Sequence, residues 1–219
     1  MARLLDLFCG AGGASEGYRQ AGFEVVGVDI SPQPNYPFRF IQKNVMDIAH
    51  TFIADFDAIH ASPPCQAFST IGKQQSIRHG HKYPDMIART RALLQASGKF
   101  TVIENVKGAP LISPVLLCGT MFPGLKVIRH RLFECNFLLP TLPHPAHPPV
   151  HLYDSRRTLR TDPDRDFAAV YGHGQSTLPR ASRAMGIDWM TWREITQAIP
   201  PAYTRFIGET LLKMVKKAA

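Results

Sequence analysis

An alternation of short apolar strands with helices in the first half of the chain constrains the fold more than any other feature of the sequence. Leu4 to Phe8 reads as a strand, residues 9–13 as a glycine-rich turn, and Ser15 to Ala21 as a helix that ends at Gly22. The same patterns predict strands over Glu24 to Asp29, Phe38 to Gln42, Phe56 to Ala61 and Phe100 to Asn105, and a helix from about Pro84 to Ala96. This alternation is typical of an α/β fold with a mainly parallel sheet and helices on both faces.

After Pro114 the alternation stops. Val127 to Ile128 and Arg131 to Phe137 are predicted to be further strands, with antiparallel pairing. Residues 140–151 contain five prolines, which exclude a helix or a central strand there. A final helix is predicted over Pro201 to Lys217.

Composition narrows the class of protein. With 219 residues, of which 45% are hydrophobic, the chain can bury a core as one domain, and wholesale disorder is excluded. The four cysteines lie far apart without a CxxC pair, which argues against a disulfide framework and for free thiols. No apolar run reaches the roughly 18 residues that a membrane helix needs, and Met1 to Asp6 is too short for a signal peptide. We therefore expect a cytoplasmic protein with no membrane partner.

The formal net charge of +8 is unevenly distributed. Residues 126–219 carry 14 basic and 8 acidic side chains, against 11 and 9 in residues 1–125. A polyanionic partner facing the C-terminal part fits this distribution, although charge alone does not identify one.

Two motifs in the first half bear on ligand binding. Asp6 to Gly13 takes a strand through glycines into a helix, and Asp29 ends the next strand. Glycines allow a ligand to approach the backbone closely, and an acid after the second strand commonly binds ribose hydroxyls. The loop therefore fits a nicotinamide dinucleotide or S-adenosylmethionine. The alternative is a tight turn between strand and helix with no ligand. Cys65 follows two prolines where the fourth strand ends. A cysteine is more often inert in a core, but this edge of a parallel sheet is where ligands bind.

Two further motifs carry charge. Glu104 stands at the end of the fifth predicted strand and can reach the same edge as Cys65, although a surface ion pair is the simpler interpretation. Arg129 and Arg131 alternate on one face of a predicted strand, where charges can also serve to block edge-to-edge aggregation.

In this order, the four motifs resemble those of the C5-cytosine DNA methyltransferase family. The resemblance covers about residues 3–137 and resumes from Met190 to Leu212, and the compact form is similar to short versions encoded by bacteriophages. It implies a Rossmann-like sheet of the S-adenosylmethionine-dependent methyltransferase type. Residues 1–137 would form the catalytic and cofactor-binding core, 138–188 a reduced target-recognition region, and 189–219 a segment that completes the core.

The resemblance also implies a mechanism. Cys65 would add to C6 of cytosine while Glu104 supplies a proton or hydrogen bond at N3, which makes C5 nucleophilic. Arg131 would meet the cytosine or stabilise the cysteine loop, and Arg129 would lie nearer the phosphate. The implied substrate is double-stranded DNA with the target base flipped out, acted on by a protein that we expect to be a monomer.

The cofactor implied by the resemblance is S-adenosyl-L-methionine. Asp29 would hold its ribose and Asp47 its adenine edge, and the full implied set is Phe8, Gly10, Gly12, Gly13, Asp29, Ile30, Asp47 and Pro64. Gln66 to Tyr83 would form a mobile loop over the DNA, with phosphate contacts from Lys73, Arg78, His79, His81 and Lys82.

The chain departs from the family pattern at two places. The interval 138–188 is short, and its arginines (Arg156, Arg157, Arg160, Arg180 and Arg183) are more typical of phosphate contacts than of base readout, so we predict a short or degenerate target sequence. Gln197 stands where the family usually has asparagine, which leaves a derivatised cofactor as an alternative to plain S-adenosylmethionine.

Other interpretations stay open at this point. His144, His147 and His151, with Cys135, are spaced compatibly with a zinc site, but the prolines between them argue against a preformed cluster and we predict no metal. Trp189 and Trp192 are expected in the core. The alternative functions are methylation of RNA, methylation of free cytidine nucleotides, and DNA binding without catalysis.

Overall fold

A seven-stranded sheet forms the centre of the molecule. The computed structural model describes residues 1–80, 83–147, 167–168, 170–171 and 176–218. The strands are β1 (Arg3–Leu7), β2 (Glu24–Asp29), β3 (Arg39–Gln42), β4 (Ala58–Ala61), β5 (Phe100–Asn105), β6 (Val115–Leu117) and β7 (Arg131–Cys135), in the order β3-β2-β1-β4-β5-β7-β6. Strands β1 to β5 pair in parallel, whereas β7 is antiparallel to both β5 and β6.

Helices cover both faces of this sheet. They are α1 (Gly13–Ala21), α2 (His50–Ala54), α3 (Thr70–His79), α4 (Ile87–Ser97), α5 (Leu178–Met185), α6 (Trp192–Ile195) and α7 (Pro201–Ala218), with 3-10 turns at Val45–Asp47 and Gly119–Met121. Alternate side chains of β1 enter different cores: Leu4 packs with α1 and α7, and Leu5 packs with α2 and α4. The expected α/β fold with a mainly parallel sheet is confirmed.

The C-terminal helix is held tightly against the first one. A Cβ atom at Gly17 would lie 2.1 Å from the carbonyl oxygen of Pro201, and one at Gly208 would lie 2.7 Å from the Cβ of Ala21. Glycine is therefore needed at both positions for α1 and α7 to approach this closely. Within the described ranges, no helix is both long and apolar enough to cross a membrane.

Two local expectations differ from the structure, and one strand was not expected. Val127 forms an isolated bridge to Ala168 in place of the expected strand. The three-residue β6 is too short to show a period in the sequence. Helix α3 lies inside the segment expected to be a mobile loop. Residues 140–147 contain neither helix nor strand, as the prolines predict, and 148–151 lie outside the described residues.

Candidate active site

The turn between β1 and α1 is a tight glycine loop with one open side. Phe8, Gly10 and Gly12 all have positive φ angles, of 58°, 49° and 86°. A Cβ atom at Gly13 would lie 2.6 Å from the carbonyl oxygen of Ile199, so the loop packs directly on that C-terminal segment. At Gly10, by contrast, a Cβ atom would meet nothing within 4 Å, which leaves this side of the loop accessible to a ligand.

Asp29 joins this loop to the end of β2. Its carboxylate accepts hydrogen bonds from the backbone N–H groups of Gly10, at 3.1 Å, and Ser31, at 2.9 Å. The next side chain, Ile30, is 64% exposed despite being apolar. An open glycine, a carboxylate and an exposed apolar side chain fit a nucleoside, with the carboxylate toward the ribose and the apolar side chain toward the base.

The two remaining residues of the expected cofactor set lie on the same edge of the sheet. Asp47 is exposed in the 3-10 turn that follows β3, and Pro64 is exposed in the loop that follows β4. Both therefore follow parallel strands at their carboxyl ends, where open α/β sheets bind ligands.

The loop that carries Cys65 is fastened to the end of β5. Asn105 donates a buried hydrogen bond from Nδ2 to the carbonyl oxygen of Pro63, at 2.9 Å. The carbonyl of Cys65 accepts from the N–H groups of Phe68 and Ser69, at 3.0 and 2.9 Å, which begins a helical turn at the cysteine. Cys65 itself is partly exposed and is a free thiol. The parallel pairing of β4 and β5 thus brings the cysteine loop next to Glu104.

Glu104 and Arg131 form an ion pair beside this cysteine. Phe133 of β7 lies opposite Glu104 of β5, so Arg131, two residues away, points to the same face of the sheet. Arg131 Nε lies 3.0 Å from Glu104 Oε1, and both side chains are mostly buried. The oxygen receives no well-aligned hydrogen bond, so the contact is chiefly electrostatic.

The surroundings shift both reactive groups away from their ordinary ionisation. Burial raises the pKa of Glu104, while Arg131 and a hydrogen bond from Ser62 oppose the shift. Burial also raises the pKa of Cys65, and the Glu104 charge adds to this, whereas Arg131 and Arg129 lower it. The surroundings therefore make Glu104 hold its proton more strongly than a free glutamate does, and the arginines are the groups that stabilise a Cys65 thiolate.

A buried chain of hydrogen bonds, which the sequence did not predict, leads from α1 through the end of β4 to Glu104. Tyr18 OH lies 2.9 Å from His60 Nδ1, and His60 Nε2 lies 2.9 Å from Ser62 Oγ. Burial lowers the pKa of His60 to about 3, so the ring is neutral. The donors and acceptors of the chain match when Tyr18 donates to His60, His60 donates to Ser62, and Ser62 donates to Glu104. The chain thus orients the acid from α1 and β4.

Arg129 has a different position from the one expected. It is 6% exposed, and its two terminal nitrogens donate to the carbonyl oxygens of Val170, at 2.6 Å, and Thr196, at 2.8 Å. The expected phosphate contact of Arg129 is therefore wrong, because the guanidinium is buried and already donates to two backbone carbonyls. Arg129 instead fastens the segments around Val170 and Thr196 to the start of β7.

The glycine loop has two further polar neighbours, Asp6 and Trp189, whose hydrogen bonds the sequence did not predict. Asp6 is fully buried within β1 and accepts a hydrogen bond from Ser15, which also contacts Tyr36 OH at 2.8 Å. Its only sequence signal is a charge inside an apolar strand. Trp189 donates from Nε1 to the carbonyl oxygen of Ala11, at 2.8 Å, and packs against a core cluster, in agreement with its expected core role.

The expected DNA-contacting residues are only partly described. Arg78 and His79 are exposed at the end of α3, and Arg183 is exposed on α5. Arg180 is partly buried on the same helix. His81, Lys82, Arg156, Arg157 and Arg160, together with the side chain of Lys73, lie outside the described residues.

The class of protein follows first from the fold. The chain is similar to the solved structure of a putative DNA modification methyltransferase encoded within an E. coli prophage, with a TM-score of 0.65 and 16% identity over 99% of this chain and 100% of that chain. At this level of identity, the likeness establishes a shared fold.

The family follows from the sequence. Residues 2–111 match the family described as C-5 cytosine-specific DNA methylase, and the chain belongs to this family, which confirms the resemblance of its motifs. It is 32% identical over 115 residues to the type II methyltransferase M.FnuDI of Fusobacterium nucleatum, covering 48% of this chain and 33% of that protein. It is 34% identical over 127 residues to M.XorII of Xanthomonas oryzae pv. oryzae, covering 48% and 28%. The chain thus spans about a third of the length of these relatives.

Proposed function

We propose that this protein transfers a methyl group from S-adenosyl-L-methionine to C5 of cytosine in DNA. The observation that carries the proposal is the buried pair of Glu104 and Arg131, 3.0 Å apart, next to a partly exposed Cys65. A nucleophile, an acid with a raised pKa and a fixed cation at one sheet edge are the groups that activation of an electron-poor ring requires. Membership of the C-5 cytosine-specific DNA methylase family supports the same reaction.

Two groups of this chain activate the cytosine. The Cys65 sulfur forms a bond to C6 while Glu104 gives its proton to N3, so the ring electrons collect at C5. C5 then takes the methyl group, and the sulfonium sulfur that carried it leaves as a neutral thioether. Loss of the C5 proton to a base allows the bond between sulfur and C6 to break, the thiolate is regenerated by elimination, and the N3 proton returns to Glu104.

The two protonation changes assist one another. An ionised Glu104 raises the pKa of the Cys65 thiol, so a proton on Glu104 removes that opposition. Arg131 stabilises both the thiolate and the carboxylate that forms when Glu104 gives up its proton. The positive charge of Arg131 therefore stabilises the enzyme both before the proton transfer, when Cys65 is a thiolate, and after it, when Glu104 is a carboxylate.

The cofactor would lie on the open side of the glycine loop. Asp29 would bind the ribose, Ile30 would cover one face of the adenine, and Phe8, Gly10, Gly12 and Gly13 would shape the path. When bound, S-adenosyl-L-methionine supplies an electrophilic methyl group. Asp47 and Pro64 are assigned to the same site because they follow β3 and β4, the strands on either side of the β2–β1 pair, at the same edge.

DNA is the proposed partner, with the target cytosine flipped out of the duplex. The exposed side chains of Arg78 and His79, at the end of the helix that follows the cysteine loop, support phosphate contacts on that side. The protein is proposed to act as a monomer in the cytoplasm of a bacterial host. Light scattering of the purified protein, which measures its mass, tests the monomer.

The first experiment expresses the protein and its Cys65→Ala variant in a host that lacks cytosine methylation. DNA is digested to nucleosides, and the cytidines are weighed by mass spectrometry. We expect cytidine heavier by one methyl group with the native protein and unmodified cytidine with the variant. Unmodified DNA from soluble, folded native protein would contradict the proposal, and the same measurement on RNA tests the alternative polymer.

A further inference from the structure

Four metal-binding side chains converge at the end of the β6–β7 hairpin where β6 ends and β7 begins, and none of them is assigned to the proposed active site. They are Cys118, His130, His144 and His147, and one ligand atom from each lies within 4.8 Å of every other. This group is called the Cys-His cluster below. Among the described residues, no aspartate or glutamate joins it.

The fold brings the cluster together from two directions. Leu117 pairs with Arg131 in the antiparallel hairpin, so continuing the register by one residue places Cys118 opposite His130. Directly opposed residues of an antiparallel pair point to the same face of the sheet. His144 and His147 come from the proline-rich segment 138–147, three residues apart, and fold back onto this end of the hairpin.

Two distances between ligand atoms of the cluster match those of a tetrahedral zinc site. His147 Nε2 lies 3.1 Å from His144 Nε2 and 3.5 Å from Cys118 Sγ. Zinc bonds of about 2.0–2.1 Å to nitrogen and about 2.3 Å to sulfur place tetrahedral ligands ~3.3 Å apart for two nitrogens and ~3.6 Å apart for nitrogen and sulfur. The ring of His130 lies 5.3 Å from that of His144 and 4.8 Å from that of His147.

The chemistry of the side chains also bears on what the cluster holds. Imidazole nitrogen and cysteine sulfur are donors that zinc takes in proteins, and four of them converge here.

We propose that the Cys-His cluster binds one Zn²⁺ through Cys118, His130, His144 and His147. Binding forms one bond from zinc to sulfur and three to nitrogen, and it releases the Cys118 thiol proton to solvent. Four protein ligands close the coordination sphere, so the ion has a structural role. It fixes segment 138–147 to the hairpin whose β7 strand carries Arg131.

This site differs from the zinc site considered from the sequence. The sequence grouped His144 and His147 with His151 and Cys135, whereas the structure surrounds the two histidines with Cys118 and His130. His151 lies outside the described residues, and Cys135 is not a member of the cluster. The spacing of 12 positions between Cys118 and His130 carries no recognisable signal without the hairpin register.

The test uses the full chain, purified without a histidine tag, and it needs neither DNA nor cofactor. Metal content is measured by mass spectrometry after growth in zinc-containing medium. The chelator-treated protein is then titrated with Co²⁺, whose charge-transfer absorption reports a thiolate ligand. The variants are His144→Ala and His147→Ala, which change exposed side chains, and Cys118→Ser. The matched controls are Cys135→Ser and His50→Ala, neither of which belongs to the cluster.

We expect about one zinc per chain in the native protein and in both controls, and an affinity at least ~100-fold lower in the histidine variants. The sulfur-to-cobalt band should appear in the native protein and be lost in Cys118→Ser. Native protein that takes up neither zinc nor Co²⁺ stoichiometrically would overturn the proposal. Equal metal content in His144→Ala and native protein would do the same. Because methylation is not measured, the outcome is independent of the proposed function.

Discussion

Asp6 and Glu104 are both buried carboxyl groups on strands of the sheet, but their neighbours differ. Glu104 faces Arg131 and lies beside Cys65, so its environment is built around a positive charge. Asp6 accepts a hydrogen bond from Ser15 while its other oxygen has no hydrogen-bond partner, and burial raises its pKa to about 7. The first arrangement suits a group that exchanges protons, and the second makes stability depend on pH.

Replacing Glu104 by glutamine tests its role as the acid. The amide side chain of the Glu104→Gln variant keeps a hydrogen-bond donor but has no proton to transfer, so we expect single-turnover methylation to slow by about 10²–10⁴-fold with unchanged folding. Rates are measured on cytosine-containing duplex DNA, with circular dichroism as the check on folding. Glu16→Gln, which removes the ion pair with Arg19 and alters the contact with Gln20 on the same helix, is the control. A Glu104→Gln rate within about twofold of the native one is incompatible with acid catalysis by this residue.

Replacing Asp6 by asparagine tests the buried carboxyl group. The folded pKa of about 7 exceeds the ordinary pKa of 3.8, so the folded protein binds the extra proton between these values and loses stability as pH rises through this window. The variant should lack this loss, which amounts to at most about 4 kcal/mol. His60, whose pKa is lowered to about 3, acts in the opposite direction but is present in both proteins.

The measurement is the free energy of unfolding in urea at pH 5 and at pH 8. We expect the free energy of unfolding at pH 8 minus that at pH 5 to be more positive for Asp6→Asn than for the native protein. Asp188→Asn, at an exposed position, serves as the control. Identical pH dependence in all three proteins would show that Asp6 is not protonated in the folded state near neutral pH.

At the scale of elements, strands explain why the reactive residues meet. Helix α1 and strands β4 and β5 supply the chain from Tyr18 through His60 and Ser62 to Glu104. Ser62 is a positioning residue, because it acts through the acid. Its hydrogen bond lowers the pKa of Glu104, so Ser62→Ala should raise that pKa further.

Ser62→Ala is therefore expected to move one limb of the pH–rate profile. If Glu104 must carry a proton, the rate falls as pH rises above its pKa, and this falling limb should shift to higher pH in the variant. Ser97→Ala, at the end of α4, is the control. A uniform loss of rate with an unmoved profile would assign Ser62 a merely structural role.

The contact between α1 and α7 makes a second prediction at this scale. A methyl group at Gly17 would lie 2.1 Å from the backbone oxygen of Pro201, and backbone cannot move aside as a side chain can. We expect Gly17→Ala to lower the free energy of unfolding by about 1–3 kcal/mol despite the better helix propensity of alanine. Arg19→Ala, exposed on the same helix, is the control in urea unfolding. Unchanged or increased stability would contradict the close packing.

Elements with a clear period were predictable, and contacts that depend on chain topology were not. Strands β2 and β5 have the bounds that their apolar runs predict. Cys65 and Glu104 were placed at one edge because parallel strands end together. Arg129 was misplaced because the sequence shows its alternation with Arg131 but not the carbonyls of Val170 and Thr196 that surround it. His60 gave no signal because Tyr18, its partner on α1, is 42 residues away along the chain.

At the scale of the whole molecule, the C-terminal segment packs against the glycine loop between β1 and α1. Trp189 binds Ala11, and Asn35 donates to Glu194 at 3.0 Å. Arg129 ties the same region to the sheet through Thr196. The C-terminal segment is thus packed against the glycine loop and the start of β7. Under the proposed function, base recognition would then fall to the interval 138–188.

That interval is short for reading bases, and this predicts the methylation pattern. About 50 residues, many of them proline or arginine, provide few side chains for groove contacts, while their charges suit phosphates. We expect sequencing of bisulfite-converted DNA from an expressing host to show methylation at a short or degenerate site. The Cys65→Ala variant supplies the unmethylated background. One strict target of about six bases or more would require a larger set of base-edge contacts than this interval can supply, so it would place the reading surface in another part of the molecule.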